Sequence, residues 1–205
     1  VRRHRENLLI EERINRERPC RTLFIRNIKY ETSAREVREK FERFGEIKTF
    51  FDLIANRGMV FVTYHDLRAA MMAKDRMQDS NLGGGRGGDG PKRTIDVHYS
   101  LPREDEQQKR CDREKNQGTL FFHCKDAKYP FTDADIHQKF SVFGDIKNIF
   151  PHKDRPRERF IEFWDSRACY RAYDELLGTP WMGGTLDLKY AWDLGHGPHA
   201  APVPK

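Results

Sequence analysis

Leu23-Phe24-Ile25-Arg26-Asn27-Ile28 and Arg57-Gly58-Met59-Val60-Phe61-Val62-Thr63-Tyr64 decide the fold. In both stretches apolar residues recur at every second position, as in a strand with one buried face. Leu23 and Ile25 turn inward, so Phe24 and Arg26 turn outward. In the second stretch Val60, Val62 and Tyr64 turn inward and leave Arg57, Met59, Phe61 and Thr63 outside.

Between them, Thr32 or Ser33 caps a helix, with Glu36 three residues after Ser33 as in a capping box. Val37, Phe41 and Phe44 share one face of that helix, and Gly45 stops it. Residues 47–53 and 58–64 read as strands. Asp66 opens a second helix over 67–78 that offers Ala70, Met71 and Met77 to the core, and residues 94–100 close the unit as a strand. The order βαββαβ is that of an α+β, split-βαβ, ferredoxin-like sandwich.

The same order returns after residue 118. Arg-Thr-Leu-Phe-Ile-Arg (21–26) aligns with Gly-Thr-Leu-Phe-Phe-His (118–123), and Phe-Gly-Glu-Ile-Lys (44–48) with Phe-Gly-Asp-Ile-Lys (143–147). Phe-Val-Thr-Tyr (61–64) meets Phe-Ile-Glu-Phe (160–163), and Ile-Asp-Val-His-Tyr (95–99) meets Leu-Asp-Leu-Lys-Tyr (186–190). An internal repeat of this length sets the domain count at two. The expected layout is a basic extension over 1–20, a first domain over 21–102, a charged linker over 103–117 that is solvated or forms a short exposed helix, a second domain over 118–193 and a disordered tail over 194–205.

Hydrophobic residues make up 37% and charged residues 34% of the 205, which suits two small cores better than one large one. The net charge of +6 favours a polyanionic partner mildly, and it is unevenly spread. Residues 21–102 hold 15 basic against 11 acidic side chains, whereas 118–193 hold 11 against 12. The four cysteines, Cys20, Cys111, Cys124 and Cys169, form no C-x-x-C pair and read as reduced thiols of an intracellular protein, nuclear or cytoplasmic. No apolar run reaches membrane-spanning length. No nucleophile–base arrangement or metal-ligand spacing is present, so neither an enzyme nor a cofactor is expected. The chain opens on Val1, as expected for a piece of a longer protein.

An outward patch of Phe24, Phe61, Met59 and Phe51 needs a reason, because open sheets rarely leave aromatics in water. Base stacking beside a positive charge is one reason. Phe24 is expected to stack on one base and Phe61 on a neighbouring base or sugar. Arg57 would pair with the phosphate between them, and Arg26, His98 and Ser100 would bond to base edges. The other reason is cover by the N-terminal segment, the linker or a protein partner. In the second domain Phe121 and Phe160 persist, but Glu158 sets a carboxylate on the same face, and the segment leading to Phe160 (His152, Lys153, Arg155, Arg157, Arg159) is basic. RNA contact by that loop and protein contact by the sheet or helices are equal readings there. Trp164 and Trp181 read as packing residues. The single Arg-Gly-Gly at 86–88 reads as a flexible loop, and His196 and His199 carry no metal-site pattern.

The two opening stretches resemble the hexamer and octamer motifs of an RNA recognition motif (RRM), with Met59 where the octamer usually has Phe or Tyr. Longer phrases are similar to one family, the Mei-two-like RNA-binding proteins. They are Arg-Thr-Leu-Phe-Ile-Arg-Asn-Ile (21–28), Tyr-His-Asp-Leu-Arg-Ala-Ala (64–70), Val-His-Tyr-Ser-Leu-Pro (97–102), Asn-Gln-Gly-Thr-Leu (116–120) and Phe-Ile-Glu-Phe-Trp-Asp (160–165). The resemblance implies two tandem RRM domains in a single-stranded RNA-binding regulator of meiosis or differentiation, with a third, C-terminal RRM beyond this chain. The partners expected are single-stranded RNA and, through the second domain, a protein, with no membrane and no small-molecule substrate. The alternative is a protein-interaction or dimerisation module.

Overall fold

Burial of alternate apolar residues draws each half of the chain around its own core. The computed structural model describes residues 17–82 and 93–193, in two units that meet between Leu101 and Pro102. The readings placed on the N-terminal arm before residue 17, on Arg86–Gly88 and on the tail from 194 lie outside the described residues.

The first unit runs β1 (Thr22–Arg26), α1 (Ala34–Glu42), β2 (Ile47–Leu53), α2 (Ile54–Arg57), β3 (Met59–Tyr64), α3 (Leu67–Met77) and β4 (Asp96–Tyr99). Its antiparallel sheet has the order β2-β3-β1-β4. Leu23, Ile25, Val60, Val62, Ile95 and Val97 enter the core with Val37 and Phe41 of α1 and Ala70 and Ala73 of α3. Ser33 caps α1 by accepting from the Glu36 amide at 3.1 Å. Glu36 itself pairs with Lys40 at 3.2 Å, so only half of the expected capping box forms. Met71 departs from expectation and is 39% exposed, because α3 turns Ala69, Ala70 and Ala73 to the sheet instead. The closing strand is also shorter than residues 94–100.

After the short helix α4 (Glu104–Gln107), the second unit runs β5 (Thr119–Lys125), α5 (Asp133–Phe140), a 3-10 turn (Ser141–Phe143), β6 (Ile146–Pro151), β7 (Arg159–Phe163), α6 (Ser166–Leu176), β8 (Pro180–Trp181) and β9 (Gly184–Ala191). The order β6-β7-β5-β9-β8 repeats the first sheet and adds one strand. Trp181 on that added strand packs against Phe122 and Phe131, as a packing residue should.

The repeat extends to details. Asp66 and Asp165 each cap a helix through the amide two residues on, at 2.8 Å. A Cβ at Gly45 would lie 2.6 Å from the Ala69 Cβ, and one at Gly144 would lie 2.7 Å from the Ala168 Cβ. Glycine is thus required there by helix approach, beyond ending α1.

The expected linker departs most. Asn116 is buried, donates through Nδ2 to the carbonyls of Thr119 (2.8 Å) and Ala191 (3.0 Å), and accepts from the Gly118 amide (2.9 Å). The Trp192 indole is buried and donates to the Lys109 carbonyl at 2.9 Å. The stretch before residue 118 is therefore anchored on the second unit, although its composition is that of a solvated tether.

Candidate nucleic-acid interface

Register builds the site. Phe51 on β2 lies opposite Phe61 on β3, Phe61 opposite Phe24 on β1, and Phe24 opposite His98 on β4. Strands in a sheet stand ~4.8 Å apart, so four rings form one row across the outer face. Phe24 and Phe61 are half-buried and stacked, with centroids 4.9 Å apart at 25°. Phe51 is 61% exposed. Toward one end, continuing the same registers, stand Leu53, half-buried Met59, Arg26 and Asp96. Toward the other end stand Thr49, Thr63 and Thr22, with the Ser100 amide donating to the Thr22 carbonyl at 2.8 Å.

Two of the side chains expected to bond base edges are partly engaged within the protein. Arg26 donates through Nε to Asp96 Oδ2 at 2.7 Å. His98 Nε2 lies 2.9 Å from Asp96 Oδ1, and Nδ1 lies 3.7 Å from Glu17. Burial pushes the Asp96 carboxyl up, but hydrogen bonds from His98, Arg26 and Gln78 outweigh it and hold the group at about 2. Nothing in the composition singled out Glu17, which also accepts from the Tyr99 amide on the edge strand.

Arg57 is exposed at the end of α2, two residues before the strand instead of on it. Gly58 turns the chain there with φ +61°, donating to the Ile54 carbonyl at 2.8 Å, while its own carbonyl accepts from the Ile28 amide at 2.9 Å.

The second sheet carries the matching row, Phe150, Phe160, Phe121 and Lys189. Phe150 and Lys189 went unnoticed in the sequence, although the repeat aligns them with Phe51 and His98. Phe160 departs from the expected stacker and is only 3% exposed. It stacks on Phe150 (5.6 Å, 28°) and on His152 (5.9 Å, 22°), and meets Phe121 edge-on at 5.4 Å. Glu158 is buried, with Arg155 at 3.3 Å and His123 at 3.5 Å, so part of the loop's basic charge is spent on it. Lys153 and Arg157 are exposed. Trp164 is half-buried under Lys147.

Among the described residues no grouping of His, Cys, Asp and Glu is placed to hold a metal ion, and no helix is long and apolar enough to cross a membrane.

The strand order, helix placement and aromatic row define a class. The RNA recognition motif family model matches residues 23–86, so the first unit is an RRM, and the second repeats its order of elements. Most of the chain, through both units, is similar to the MEI2-like proteins. MEI2-like 4 of Oryza sativa subsp. japonica is 34% identical over 178 residues, 87% of this chain and 16% of that protein. MEI2-like 3 of Arabidopsis thaliana is 31% identical over 175 residues, 85% of this chain and 21% of that protein. Across both units, then, the chain is similar in sequence to proteins named MEI2-like, and it spans about a fifth or less of the relatives it matches. Among solved structures, the first two RRM domains of yeast poly(U)-binding protein are 16% identical with a TM-score of 0.34, covering 84% of this chain and 100% of that one. A Sex-lethal protein/RNA complex is 17% identical with a TM-score of 0.33, covering 84% and 99%.

Proposed function

We propose that this chain binds single-stranded RNA, chiefly through the outer face of the first sheet, and does no chemistry of its own. The observation that carries the reading is the in-register row Phe51, Phe61, Phe24 and His98. Every base has a π-face, so such a row accepts successive bases at about 1–3 kcal/mol each. Arg57, exposed beside the row, supplies charge for the backbone. In the second unit Phe160 is buried and Glu158 places a carboxylate on the face, so this sheet contributes less, with Lys153, Arg155 and Phe121 as its contacts. The MEI2-like sequence supports a role in regulating transcripts, of the meiosis or differentiation type, by selecting or tethering them for other factors inside the cell, in nucleus or cytoplasm.

The test is a fluorescence-anisotropy titration with a degenerate single-stranded RNA pool. Loss of two stacked bases in Phe24→Ala/Phe61→Ala should weaken binding at least tenfold, given the stacking energies above. Equal binding by the folded double mutant would reject the platform.

A further inference from the structure

Arg26 and Asp96 are register partners on β1 and β4, in the row next to the aromatic one. The Asp96 carboxylate is fixed from three sides. Oδ2 accepts from Arg26 Nε at 2.7 Å, and Oδ1 accepts from Gln78 Nε2 at 3.2 Å and lies 2.9 Å from His98 Nε2. Gln78 is fixed in turn, accepting through Oε1 from the Val97 amide at 2.8 Å. The guanidinium is thus held at its Nε edge, with a third of its side chain exposed. Among the described contacts only Nε is engaged, which leaves the two Nη groups as a preset pair of donors.

Side chains two apart on one strand face stand ~6.7 Å apart. A base lying on Phe24 therefore reaches the Arg26 fork with its edge. A phosphate is the weaker candidate, because Asp96 offsets the arginine's charge, whereas the pair's hydrogen-bonding capacity toward a neutral acceptor is intact. Arg57, with no acidic partner among the described contacts, is the better phosphate ligand.

We infer that Arg26, clamped by Asp96, reads a base that presents two adjacent acceptors: guanine through N7 and O6, or cytosine through N3 and O2. Adenine and uracil alternate donors with acceptors and leave one Nη unsatisfied. This inference rests on the reading of the sheet as an RNA platform.

The probes are labelled uridine octamers, either unchanged or carrying one internal guanosine, cytidine or adenosine. The expected result is that guanosine or cytidine tightens binding by about 5- to 100-fold over the uridine and adenosine probes, as one bidentate contact does. The one that ranks first identifies the base. Arg26→Lys keeps the charge but loses the fork, so it should abolish the preference while leaving the salt slope unchanged. Asp96→Asn should reduce the preference with Arg26 intact, which separates clamping from simple presence of the arginine. Retention of the preference in Arg26→Lys would overturn the inference. So would an equal loss for all probes in Arg26→Ala, with a salt slope shallower by about 0.7, which marks a phosphate contact. Four probes bound alike by wild type, with binding lost in Phe24→Ala/Phe61→Ala, would overturn this inference alone. Binding unaffected by that double mutation would remove the platform and the inference together.

Discussion

The Asp96 carboxylate faces the same side of the sheet as the aromatic row and stays ionised because Arg26, His98 and Gln78 hold it there. A carboxyl whose folded pKa is depressed stabilises the protein above its unfolded value, near 3.9, and loses that contribution as pH falls. The Asp96 contribution should therefore be complete at neutral pH and fade between about pH 4 and pH 2. Thermal melts of wild type and Asp96→Asn should differ at pH 7 and converge near pH 2. A gap independent of pH would mean that the ionised carboxylate is not what stabilises. Gly58 carries a different demand, with φ +61° and a position where a Cβ would lie 2.6 Å from the Ile28 carbonyl oxygen. Gly58→Ala should cost ~2 kcal/mol or more, by chain conformation plus the contact, measured as a lower urea midpoint.

At the scale of elements, periodicity made the strands legible and left their ends open. The alternation of Leu23, Ile25, Val60 and Val62 assigned faces correctly, because burial of one face is what that alternation encodes. The α2 turn that carries Arg57 was not legible, since a four-residue helix has no room for a repeat of its own. Residues 108–116 misread for another reason: most of their charges are solvated as expected, but anchoring falls to the buried amide of Asn116 and to Arg113, which donates to Tyr190 and pairs with Asp174, and composition counts both only as polar. Asn116→Ala would strand two buried carbonyls and one amide, so about 2–4 kcal/mol of stability should be lost. Urea denaturation followed by tryptophan fluorescence would measure it, and a loss below about 0.5 kcal/mol would show the anchor to be incidental. The burial of Phe160 was invisible because the repeat fixes which face a ring takes but not what lies over it.

At the scale of the whole molecule, two units of one design differ in charge and in openness of the sheet. The first combines a net positive count with an exposed ring at Phe51, and the second combines a net negative count with a buried Phe160. Counterion release makes the log of affinity fall with log salt by about 0.7 per phosphate contacted on a single strand. Arg57→Ala should shallow that slope by about one contact, whereas Glu158→Gln should change it little, since Arg155 already faces that carboxylate. The measurement that most directly tests the central claim is amide chemical-shift mapping of the isotopically labelled chain during RNA titration. The account predicts the largest shifts at Phe51, Phe61, Phe24 and His98 and along the strands that carry them. Shifts confined to α1 and α3, or to the second unit, would contradict it.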